Sequence, residues 1–262
     1  MQRWSVRPLA VLFTVAAILV GTAGTAQATH AWSTYHWART SNPFTLQIGD
    51  NMTAADWKSY LGTASTDWSS SAGGNPLRTK IVAGASNKRC SATSGRVEVC
   101  NGNYGQNGWL GLAQIWLSGS HITQGTAKMN DSYFNTATYN NPNEKLHVVC
   151  QEVGQTFGLD HQSTDGSSLN TCMDYFSNTG ANAGSTASTH PNAHDYGELA
   201  IIYSHLDTTT TIAAAAPVFG LGGAAGADGH GTPAGASKAH GSWYVQDLGN
   251  GRALITHIYW AD

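Results

Sequence analysis

Charge is what this chain has least of. Only 11% of its 262 residues are Asp, Glu, Lys or Arg, and the formal net charge is −3. The Lys and Arg residues form no basic stripe, which argues against a nucleic-acid partner. Long apolar runs are equally scarce. The longest, from Leu9 to Val20, is shorter than the roughly 20 residues a membrane-spanning helix needs. It follows Arg3 and Arg7 and leads into Ala26-Gln27-Ala28, the layout of a secretory signal peptide cleaved after Ala28. The protein is therefore expected to be secreted and extracellular, with no membrane attachment once the signal is removed. Cysteines number only four. An even count in an exported chain reads as two disulfides. Cys90 and Cys100 flank SATSGRVEV, a plausible hairpin, so local pairing is attractive; that leaves Cys150 to pair with Cys172.

What is present divides the chain into four parts. Residues 1–28 are the signal peptide, and 29–207 alternate strand-like and helix-like segments. FTLQIGD, TKIVAGA, RVEVC, GLAQIWLSG and HITQGTAKMN are rich in β-branched and apolar residues and read as strands. Trp57, Tyr60, Leu61 and Ala64 follow helical spacing, with Asn51 or Thr53 as the expected cap. A second helix is predicted to start at Pro142, capped by Asn141, with Glu144 placed for a capping box. Leu146, Val149, Cys150, Val153 and Phe157 form its apolar face, and Gly158 is expected to end it in the left-handed region. A third helix is predicted over HDYGELAIIYSH. The order of elements is that of an α+β domain. Residues 208–241, rich in Thr, Ala and Gly, read as a linker. Residues 242–262 read as a β-hairpin turning at Asn250-Gly251; an isolated hairpin is marginal in water, so it should dock on the domain or on a partner.

The second helix carries the chemistry. Its string HVVCQEVGQTFGLDH, followed by CMDY, resembles the metzincin zinc peptidases, in particular the matrixin- and astacin-like kind exported by actinobacteria. Their motif, HExxHxxGxxH, sets two His one turn apart on a helix, with Glu as general base, a Gly turn and a third His. In this chain the ligand positions are Gln151, Gln155 and His161. Glu152 matches the base, Met173 the Met-turn, and Tyr175 the tyrosine that assists catalysis in astacin-like enzymes. The resemblance implies a twisted mixed sheet with two main helices, the active-site helix, the Met-turn and a C-terminal helix. It also implies a zinc cofactor and a peptide or protein substrate cleaved by metal-activated water.

Two of the three ligands depart from that pattern. Gln offers an amide oxygen, whereas zinc prefers imidazole or thiolate. Three readings follow: a peptidase with a weak or unusual metal site, a silent homologue binding peptide, protein or cell wall in the old cleft, and an oxygen-rich site for a different ion. Peptide binding is expected by strand addition along HITQGTAKMN, taken as a sheet edge. His147 reads as a surface residue at the helix start, with pairing to Gln151 as the alternative. His190 and His194 read as a turn leading into a helix, with the alternative that they reach into the site. The remaining histidines show no pattern. Residues before the first strand contain no Cys, so latency through a cysteine switch is not expected.

Overall fold

A computed structural model describes residues 1–2, 30–85, 90–213, 232–233 and 242–261. The predicted signal peptide and most of the predicted linker lie outside the described residues. Described strands are β1 (His36–Trp37), β2 (Phe44–Asn51), β3 (Leu77–Ala83), β4 (Val97–Gly102), β5 (Trp109–Ser118), β6 (His121–Asn130), β7 (Thr232–Pro233), β8 (Ser242–Gly249) and β9 (Arg252–Trp260). Helices are α1 (Ala55–Trp68), α2 (Asp131–Phe134), α3 (Pro142–Gln155) and α4 (Ala193–Ile202).

All nine strands join one mixed sheet in the order β3-β2-β4-β6-β5-β9-β8-β7, with β1 also paired to β6. The β3, β2, β4 and β6 neighbours are parallel, and β5 turns the sheet antiparallel. Helices α1 and α3 pack against each other and on the sheet. Their contact buries Trp57, Leu61, Ala64 and Trp68 of α1 against Val149 and Val153 of α3. Two of the buried indoles are hydrogen-bonded: Trp68 donates to the Cys150 carbonyl (3.0 Å) and Trp37 to that of Thr156 (2.9 Å). Burial of such large side chains is the main favourable contribution, and the two N–H bonds avoid the penalty of a buried unpaired donor.

Several expectations are corrected. The residue capping α1 is Ala54, which makes no side-chain bond; Thr53 instead donates its N–H to Asn101 Oδ1 (2.8 Å). Asn141 caps α3 as its side chain suits, accepting from the Asn143 N–H. Glu144, however, completes no capping box: its Oε2 accepts from the Asn178 N–H (2.5 Å) and ties the helix to a loop. A complete box occurs in α4, where Asn192 and Asp195 exchange bonds. The stretch between Cys90 and Cys100 is no hairpin. It is a loop running into β4, whose neighbours are β2 and β6.

The most consequential correction concerns the sheet edge. HITQGTAKMN, strand β6, is interior, flanked by β4 and β1 on one side and β5 on the other. No edge is open there for a peptide. The outer side of β5 is also taken, because β9 pairs with it from Trp109↔Trp260 to Ser118↔Arg252. The two-residue turn between β8 and β9 has Asn250 at φ 56° and Gly251 at φ 70°. Both central residues in the left-handed region define the turn type whose twist suits a tight hairpin.

Candidate functional site

Helix α3 is buried along nearly all of its length, from Glu144 to Gln155. Gln151, Glu152 and Gln155 therefore face protein rather than solvent, and each is 0% exposed. The chain leaves the helix through Gly158 at φ 98°, where a left-handed backbone favours Gly. Two backbone bonds then fix the exit: Trp32 N–H to the Gly158 carbonyl (2.7 Å) and Asp160 N–H to that of His30 (2.5 Å). They aim His161 back under the helix. The segment carrying Met173 and Tyr175 is held in turn by Gln162 N–H to the Met173 carbonyl (2.7 Å) and Tyr175 N–H to that of Ser163 (2.8 Å). The Cys150–Cys172 disulfide bolts this segment to α3, and Cys90–Cys100 closes the second bridge.

The predicted site residues do converge. Gln155 Nε2 lies 3.5 Å from His161 Nε2. Tyr175 packs edge-on to the His161 ring at 5.5 Å, and Met173 is fully buried. Gln151 is tied to the Met173 turn through its amide nitrogen. Its amide N–H groups donate to the Cys172 (2.9 Å) and Asp174 (2.7 Å) carbonyls, holding the side chain against the turn.

His147 is not a surface residue. It is fully buried, with Nδ1 3.0 Å from Asn178 Oδ1 and Nε2 3.1 Å from the Asp174 carbonyl. Burial pushes its pKa down to about 4. Neither His190 nor His194 reaches the site: His190 pairs with Asp67 (2.6 Å) and His194 stacks on His30.

A residue the sequence did not single out completes the pocket. His257, from β9, lies 3.8 Å from Glu152 Oε2 and its ring is 4.6 Å from that of His161. Tyr259, two residues on, packs against Tyr175 at 4.8 Å and donates its hydroxyl to the Phe176 carbonyl. The period-two alternation of LITHIYW was visible as a strand and puts His257 and Tyr259 on one face. Nothing local indicates which strand that face meets. On the other side of the pair, Gly111 of β5 leaves room for Glu152: a Cβ there would stand 2.4 Å from Glu152 Oε1.

The electrostatics follow from burial. Desolvation raises the Glu152 pKa well above its ordinary value. It lowers that of His161 to about 3 and that of His257 well below normal, with the mutual repulsion of neighbouring imidazoles adding to the effect. Burial thus disfavours the charged form of all three side chains. Gln151 Oε1, Gln155 Oε1, both Glu152 oxygens and both His257 nitrogens lack hydrogen-bond partners. A raised Glu152 pKa disfavours the carboxylate form that a general base must present.

These residues do not fit a hydrolytic zinc centre. Zinc sites of that kind present three strong donors and keep one position open to water and substrate. Of the three ligand positions only His161 is an imidazole, and the other two offer neutral amide oxygens.

No protein-family model and no curated protein matches the chain. Among solved structures, one titled "Structure of myroilysin" is similar over 67% of this chain and 98% of its own, with 12% identity and a TM-score of 0.37. A score that low fixes neither family nor activity.

Proposed function

We propose that this chain is an exported homologue of the metzincin peptidases whose hydrolytic centre is silent, its peptide-binding edge filled by its own C-terminal strand. The observation that carries this reading is the docking of β9 along β5, which sets His257 beside Glu152 and His161 and Tyr259 against Tyr175. A substrate peptide would need that same edge for strand addition. Two ligand positions occupied by Gln, and burial that disfavours the carboxylate of the would-be base, suit the pocket poorly to activating water. The work of the molecule then lies in binding through surfaces other than the cleft.

A second reading is favoured by the unpartnered oxygens of Gln151, Gln155 and Glu152 beside His161 and His257. A set so rich in oxygen suits a harder ion than zinc, such as manganese or calcium.

The purified protein, supplied with zinc, is expected to leave fluorogenic peptides and casein uncut. Hydrolysis that disappears in Glu152→Gln would overturn the silent reading. Binding of Mn2+ that Gln155→Leu abolishes would establish the second.

A further inference from the structure

We infer that His36, His205 and Asp207 form a binding site for one transition-metal ion of borderline softness, built from elements other than the motif helix, with His121 as an outer partner of Asp207. Three imidazoles surround a single carboxylate oxygen. Asp207 Oδ1 lies 3.3 Å from His36 Nε2, 3.2 Å from His121 Nε2 and 3.7 Å from His205 Nε2. His205 Nε2 is in turn 3.1 Å from His36 Nε2. Around a tetrahedral ion with bonds of about 2.0–2.1 Å, neighbouring ligand atoms stand about 3.3 Å apart. The separations among His36, His205 and Asp207, 3.1, 3.3 and 3.7 Å, bracket that edge length and leave the fourth position to water.

The hydrogen bonding outside the cluster points the same way. His36 Nδ1 is 2.7 Å from the Thr34 carbonyl, which can only accept, so Nδ1 carries the ring proton. His36 Nε2 then faces the Asp207 carboxylate, and His205 aims a second ring nitrogen at the same oxygen. Asp207 is prepared too: its Oδ2 accepts from both the Arg39 backbone N–H and Nη1 at 3.1 Å, which leaves Oδ1 for an ion. Fixed tautomers and a held carboxylate are the outer bonds that orient metal ligands.

His36 and Asp207 are nearly buried, while the His121 and His205 side chains are 34% and 51% exposed, so an ion can enter from solvent. Two imidazole nitrogens with one carboxylate oxygen suit Zn2+, Co2+ or Ni2+, and disfavour Ca2+ and Mg2+, which need more oxygens. The ion would clamp β1 to the segment following α4, reinforcing the Arg39 bonds to Asp207 and to the Tyr203 carbonyl.

Calorimetric titration of the chelator-stripped protein with Zn2+, and visible absorption with Co2+, test the site. One equivalent of each should bind, with the absorption of tetrahedral cobalt and a rise in Tm. His121→Ala with His205→Ala should weaken binding by at least about 100-fold, since losing an outer-shell partner alone costs 10- to 100-fold. Both side chains are partly exposed, so the metal-free Tm should move little; His205→Asn serves if the double variant folds poorly. A wild-type protein that binds no ion overturns the inference. So does undiminished binding by the His121/His205 variant, or binding lost only when His161 and His257 are replaced.

Discussion

Glu152 sits where a carboxylate is costly: wholly buried, 3.8 Å from a neutral imidazole, with neither oxygen hydrogen-bonded. Its raised pKa means the folded state holds a proton that the unfolded chain releases near the ordinary value of 4.5. Above that pH the unfolded state binds fewer protons, so stability falls as pH rises, until the folded pKa is passed. Glu152→Gln keeps the shape and removes the titration. It should therefore raise Tm at pH 8 and change little at pH 4.5, as differential scanning calorimetry would show. A lower Tm at pH 8 would mean that the carboxylate is ionised and useful, as an ion in the pocket would make it. At this scale the sequence was informative where chemistry is local. Glu152, His161, Met173 and Tyr175 could be read from one window because the motif is contiguous. His257 could not, since its partners lie across a linker and a strand pairing.

Among the elements, α3 was readable nearly to the residue, because Asn141, Pro142 and Gly158 mark its ends by backbone chemistry that needs no tertiary context. Asn250-Gly251 marked the hairpin for the same reason. Which strand the hairpin would join was not readable, since the outer edges of β5 and β6 carry similar patterns and pairing is decided by the whole sheet. Hence the expected peptide-binding edge fell on β6, which is interior. The turn offers a test of the docked hairpin. Replacing Asn250 and Gly251 together by Ala puts Cβ-bearing residues at positive φ, a cost of about 1–2 kcal/mol per residue. At about 2–4 °C per kcal/mol for a domain of this size, Tm should drop by several degrees. Hydrogen exchange should quicken in β8, in β9 and also in β5, from Gly111 to Leu117. Unchanged protection of β5 would show that the hairpin does not cover the cleft.

Across the molecule, 11 histidines outnumber what so weakly charged a chain would need for solubility. Several are buried, and three of these, His147, His161 and His257, are held neutral by desolvation, with folded pKa values of about 4, about 3 and well below 6.5. A depressed folded pKa means the unfolded chain takes up protons first as pH falls. Stability from these groups is complete above 6.5 and declines steadily as pH drops towards 4 and below. Because His161 and His257 meet only through the docking of β9 against β5, the hairpin should feel that decline most. Acid titration followed by amide exchange should show β9 protection failing at a higher pH than that of β2 and β4, whose core is Leu46, Ile48, Val97 and Val99. Replacing His257 by Phe removes one titrating ring while keeping an aromatic in place. It should shift the loss of β9 protection to lower pH. An unshifted midpoint would mean that the acid sensitivity of the hairpin arises elsewhere, and that His257 is a passive filler of the pocket rather than its pH-dependent latch.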